Sequence, residues 1–171
     1  MRKALLAFFL LFSFNSYGAG AKIDIPKYDW SWKGFFGTYD RASAQRGLKV
    51  YREVCAGCHS MNYLAYRNLG DLGFSEDHIK AIAAEHLILD GPDDEGEMFE
   101  RDGIPSDQFA NPYPNVKAAR AANNGAYPPD LSLIVKARPK GADYVKALLL
   151  GYVDPPEDMK VPKGQHYNKY M

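Results

Sequence analysis

The chain has 171 residues, with 21 lysines and arginines set against 21 aspartates and glutamates. That balance leaves no basic footprint for a nucleic-acid partner. The length suits one domain with one core, and beyond the N-terminus no stretch reaches the roughly 18 apolar residues that mark a membrane-spanning helix.

The start of the chain reads as an export signal. Met1-Arg2-Lys3 is basic, Ala4 to Phe14 is almost wholly apolar, and Ala19-Gly20-Ala21 matches an A-x-A cleavage site, with Ser16-Tyr17-Gly18 as a second. The apolar run is shorter than the roughly 20 residues needed to span a bilayer. It lacks the Arg- and Ser-rich character of a mitochondrial presequence, so it fits bacterial export. The expected division is a signal peptide over residues 1–21 and one mature domain over residues 22–171.

The next predicted element is a helix from about Arg41, with Leu48, Tyr51 and Val54 on one face. It leads into Cys55-Ala56-Gly57-Cys58-His59, which holds both cysteines of the chain. C-x-x-C-H is the attachment signature of a c-type haem, because two thiols at that spacing add across the two vinyl groups of one porphyrin. The adjoining histidine is held under the iron as an axial ligand. A thioredoxin-type disulfide would sit in a βαβ unit, and a structural zinc site would need four ligands at matching spacing. Neither pattern flanks this motif. The expected cofactor is one covalently bound haem c on Cys55 and Cys58, with His59 on the iron.

A second helix is signalled by Ser75 as a cap, by Glu76 and Asp77 in its first turn, and by Ile79, Ile82, Ala83 and His86 at helical spacing, with Gly91-Pro92 as its end. Asp90 to Asp107 then reads as a long acidic loop holding Asp93, Asp94, Glu95, Glu97, Glu100 and Asp102, offset only by Arg101. Such a run is either a solvated surface or a docking face for a basic partner. Short helices are expected over Val116 to Ala122, over Leu131 to Ala137 with Asp130 as cap, and over Ala142 to Leu150, ended by Gly151. Strand signals are weak. The expected class is all-α, a domain of short helices and long loops wrapped around a haem.

The motifs resemble the cytochrome c1 family over nearly the whole mature chain, from about Trp30 to Tyr170. They include Trp32-Lys33-Gly34-Phe35-Phe36-Gly37, the haem motif with Ser60-Met61, Gly91-Pro92-Asp93-Asp94, and Pro112-Tyr113-Pro114-Asn115. The most specific is the block from Ala118-Ala119-Arg120 through Asn123-Asn124-Gly125 to Pro128-Pro129-Asp130-Leu131-Ser132. The resemblance implies a cytochrome c-like fold and an electron-transfer subunit, not catalytic alone, of a quinol–cytochrome c reductase on the periplasmic face of a bacterial inner membrane. It implies that Arg120 faces a haem propionate and that Pro128 and Pro129 line the haem pocket. Tyr127 stands where the family usually has leucine. The implied partners are the Rieske iron–sulfur protein, cytochrome b and a soluble cytochrome c.

In that family a methionine serves as second axial ligand beyond the position of Tyr170, and a membrane anchor comes after it. The chain stops at Met171. The expectation is therefore a C-terminally incomplete haem domain, associated with the membrane through its complex or through an anchor outside this chain. Met61 lies too soon after His59 to reach the opposite face, and Met171 falls at an aromatic position of the family. Met98, Met159, His86 and His166 have no motif support as ligands. Three other classes compete: a soluble periplasmic c-type cytochrome acting as a free shuttle, a non-haem thiol or metal module, and a haem enzyme activating oxygen or peroxide.

Overall fold

The computed structural model describes residues 23–171, and the expected signal peptide lies outside them. Helix α1 spans Arg41–Val50. Asp40 starts it from extended backbone, its carboxylate accepting the Ser43 N–H at 3.1 Å. The ladder then widens into a π turn over Tyr51–Cys55, where the Ala56 N–H reaches the Tyr51 carbonyl at 2.7 Å. This turn changes the expected face. Leu48 and Tyr51 pack against the core, but Val54 is 71% exposed, because a π turn takes in an extra residue and rotates later side chains off the 3.6-residue repeat.

A 3-10 helix over Tyr66–Leu72 has no counterpart in the sequence reading. The Asn68 side chain accepts the Ala65 N–H at its start, and Gly73, at φ 90°, ends it in the left-handed region. It carries Tyr66 and Leu69, the most deeply buried large side chains among the described residues. Helix α2, Glu76–Ala83, begins as expected at Ser75, whose hydroxyl accepts the His78 N–H at 3.3 Å. Ile79, Ile82 and Ala83 point inward. Together with Phe109 these residues form the core, where Tyr66 stacks on Phe109 at 4.7 Å between ring centroids.

Helix α2 stops well before Gly91, which corrects the expected end. His86 lies beyond the helix and stacks on Tyr66. Leu87–Asp90 forms strand β1, antiparallel to β2, Phe99–Asp102, with Leu87 opposite Asp102 and Asp90 opposite Phe99. Much of the expected acidic loop is therefore a hairpin. Its signal was weak because each strand has four residues and pairs only with the other, so neither carries a long alternating pattern. Arg101 anchors the hairpin, pairing with Asp90 and, through both terminal nitrogens, with Asp107 at 2.7 and 2.9 Å.

Helix α3, Val116–Ala122, and helix α5, Ala142–Leu150, fall where expected. Asn115 caps α3 by accepting the Ala118 N–H. Helix α4 is only Ile134–Ala137, and Leu133 rather than Asp130 precedes it. The Asp130 carboxylate is engaged elsewhere, with Ser60, Asn62 and Ser132. Before α1, the segment around Tyr28 and Trp30 is strapped to α5 by Asp143, which accepts from the Tyr28 N–H at 3.2 Å and the Trp30 indole at 2.6 Å. After α5, Asn168 donates to the Leu148 carbonyl at 2.7 Å and returns the chain to Gly151. The class is as expected, short helices and long loops, with one small sheet added. Among the described residues no helix is long and apolar enough to cross a membrane.

Candidate haem site

Helix α1 and its π turn deliver Cys55 to the end of a helix. The chain then folds back at once, with the N–H groups of Cys58 and His59 both donating to the Cys55 carbonyl at 3.1 and 2.9 Å. This turn brings both thiols and the imidazole together. The thiols are free, Cys55 half-buried and Cys58 exposed. Near Cys58, the Tyr113 hydroxyl lies 3.9 Å from the sulfur, and Asn123 donates to that hydroxyl at 3.1 Å.

The decisive contact is on the imidazole. His59 Nδ1 lies 2.8 Å from the carbonyl oxygen of Pro129. A carbonyl can only accept, so Nδ1 carries a proton, and in the neutral ring the lone pair is left on Nε2. That is the tautomer an axial ligand needs. The His59 backbone is held as well, since the Tyr51 hydroxyl donates to its carbonyl at 3.1 Å. Burial, and next the negative charge of Asp130, push the Tyr51 phenol up to about 12. It therefore remains a donor at neutral pH.

Pro128 lines a cleft with Cys58, Tyr113, Val116, Ala119 and Tyr127. Arg120 stands at the last turn of α3, donating to the Gly125 carbonyl at 2.8 Å with its guanidinium 5.9 Å from the Tyr127 ring centroid. The structure thus gathers Cys55, Cys58, His59, Pro128 and Pro129 and sets Arg120 beside the tyrosine that lines the cleft. Met61 packs against the core. Met98, Met159 and Met171 are exposed, as is His166. The sequence reading missed Tyr51 and Asp130 as supports of His59. The sequence offers Tyr51 only as a face residue and Asp130 only as a helix cap, because nothing local reveals bonds to the turn around His59.

The donor set fits a haem. Two free thiols, an imidazole whose Nδ1 is engaged by a carbonyl, and a cleft where Tyr113, Tyr127 and Pro128 stand beside the polar Ser60, Asn62 and Asn115 could hold a tethered porphyrin.

A domain of short helices around this site is a cytochrome c-like domain. The model of the Cytochrome C1 family matches residues 30–171, and the chain belongs to that family. The chain is 53% identical over 149 residues to cytochrome c1-2, heme protein, mitochondrial, of Solanum tuberosum, covering 87% of this chain and 57% of the relative. It is 57% identical over 130 residues to cytochrome c1 of Rhodospirillum rubrum, covering 76% and 48%. It is 52% identical over 147 residues to the cytochrome b-c1 complex catalytic subunit, mitochondrial, of Candida albicans, covering 85% and 51%. The chain spans about half the length of these relatives. Membership of the family implies a haem cofactor.

Proposed function

We propose that this chain is the haem-bearing domain of a quinol–cytochrome c reductase, a one-electron carrier at the periplasmic face of a bacterial inner membrane. One haem c is attached through Cys55 and Cys58, and His59 binds its iron through Nε2. The observation that carries this reading is the 2.8 Å contact from His59 Nδ1 to the Pro129 carbonyl, next to two free thiols. When bound, the haem supplies a redox centre that accepts and releases single electrons.

The chain's own residues do the rest. The thiols tether the group, so the cleft needs only modest affinity. Pro129 selects the tautomer of His59, and Tyr51 steadies the backbone that carries it. Pro128, Tyr113 and Tyr127 cover apolar surface. Arg120 offers a guanidinium to a propionate, the pairing in which a planar fork binds a carboxylate best. Electrons arrive from the Rieske iron–sulfur protein and leave to a soluble cytochrome c, with cytochrome b in the same assembly. The name of the Candida albicans relative, a subunit of a cytochrome b-c1 complex, supports that setting. The exposed acidic hairpin supports a basic acceptor.

The test is expression in a host that matures c-type haems. The purified chain should keep a haem stain after denaturing electrophoresis, and His59→Ala should lose the native haem spectrum. A chain that matures without porphyrin overturns the proposal and favours a thiol or metal module.

A further inference from the structure

Two segments far apart in sequence meet at His59, and Asp130 joins them. Its Oδ2 accepts from the Ser60 hydroxyl and the Asn62 N–H, each at 2.8 Å, and its Oδ1 accepts from the Ser132 N–H at 2.8 Å. Two further bonds run beside it. The Leu131 N–H donates to the Ser60 carbonyl at 2.9 Å, and the Tyr63 N–H donates to the Ser132 hydroxyl at 3.0 Å. Ser60 directly follows His59, and Asp130 directly follows Pro129. The clamp therefore closes one residue away from both ends of the His59–Pro129 hydrogen bond.

The residue type matters. All three partners donate to this side chain, and a carboxylate only accepts. A carboxamide in the same place would turn an NH2 group toward at least one of the donors. Burial by itself would raise the Asp130 carboxyl, but the hydrogen bonds from Asn62, Ser132 and Ser60 together outweigh it and hold the group below its ordinary range. Ser60 is buried, so water does not easily replace the lost bond.

We propose that Asp130 is a positioning residue for His59: by gripping the Ser60–Asn62 turn, it presses the Pro129 carbonyl onto Nδ1 and so sets the orientation of the imidazole and the electron density at Nε2. The inference rests on His59 being the axial ligand. A hydrogen bond from the far nitrogen raises the basicity of a ligating histidine, and such a bond weakens steeply once its angle opens. Slack in the clamp is therefore read at the iron.

The experiment uses the haem-loaded chain and the variants Asp130→Asn and Ser60→Ala, the second of which keeps the negative charge. Three quantities are measured: solvent exchange of the His59 Nδ1 proton by nitrogen-15 NMR of the reduced protein under carbon monoxide, the midpoint potential, and the melting temperature. Both variants should speed the exchange by about fivefold, the ratio for losing a hydrogen bond of ordinary net strength. Both should raise the potential, because a less basic imidazole stabilises the oxidised iron less. The rise should be larger in Asp130→Asn, which also loses a charge. A fall in melting temperature with exchange and potential unchanged overturns the proposal and leaves Asp130 as a structural stitch. If Asp130→Asn does not mature, Ser60→Ala and Ser132→Ala decide the question on the same readouts. Failure of the underlying reading is separately visible, since His59→Ala would then retain the native spectrum.

Discussion

A histidine has two ring nitrogens, and the partner of one decides what the other can do. In this chain the Pro129 carbonyl settles the matter for His59, and Tyr51 holds the backbone beside it. Tyr51→Phe keeps the ring, and with it the packing against Phe109 at 6.0 Å, but removes the donor. It should cost about 1 kcal/mol in urea unfolding, the net value of one such bond. Haem attachment should persist, because the thiols and imidazole are untouched. The pH dependence carries a distinct sign. The Tyr51 phenol rises from 10.0 to about 12 on folding, chiefly through burial. Between those values the folded chain binds more protons than the unfolded one, so stability falls as pH rises through that window. Tyr51→Phe should lose that part of the alkaline decline. An identical decline in both proteins would show that Tyr51 is not its source.

At the scale of the element, the β1–β2 hairpin is held more by ions than by burial. Its strands are mostly exposed, and Arg101 joins Asp90 to Asp107 across the base. The side-chain bond from Arg101 is the first cause lowering both carboxyls below their ordinary range, with the Gly91 N–H assisting at Asp90 and the Ile104 N–H at Asp107. Groups lowered on folding contribute stability that is present above the unfolded carboxylate range and lost as pH falls through the folded values. Amide exchange in residues 87–102, taken relative to the intrinsic rate at each pH, should therefore quicken under acid before exchange at Tyr66 and Leu69 does. Arg101→Gln should produce the same local quickening at neutral pH. Equal loosening of hairpin and core in that variant would contradict a local anchor. Helix α1 shows the opposite balance. Its start near Arg41 and the spacing of Leu48 and Tyr51 are local and were readable, but the π turn that swings Val54 outward was not, because one extra residue per turn leaves no mark in composition.

Over the whole molecule the formal charge sums to +0, yet it is unevenly placed. Asp93, Asp94, Glu95, Glu97 and Glu100 are all exposed around the hairpin, while the Arg101 charge is spent on Asp90 and Asp107. Lys136, Arg138, Lys140 and Lys146 gather around α4 and α5. A field of this kind steers a charged partner from a distance and is screened beyond about 8 Å at physiological salt. The combined variant Asp93→Asn, Asp94→Asn, Glu95→Gln should slow reduction of a basic cytochrome c by about tenfold at low salt, with the gap closing as salt is added. Asp93 Oδ1 shapes the turn by accepting the backbone N–H groups of Glu95 and Glu97, and the carboxamide oxygen of Asp93→Asn would still accept both. Unchanged kinetics at low salt would remove the docking role of the hairpin.

Some of this was legible in the sequence by itself. The haem motif, helices α3 and α5, the start of α2 and the helical class all rest on caps, spacing and periodicity within a few residues. The hairpin, the 3-10 helix and the support of His59 depended on tertiary structure. The Pro129 carbonyl lies 70 residues from the ring it orients, and Asp130 lies 70 residues from Ser60 and 68 from Asn62. A local pattern records which side chains are able to bond. Only folding decides which distant partner each one meets, because hydrogen bonds depend on distance and angle in space, not on separation along the chain.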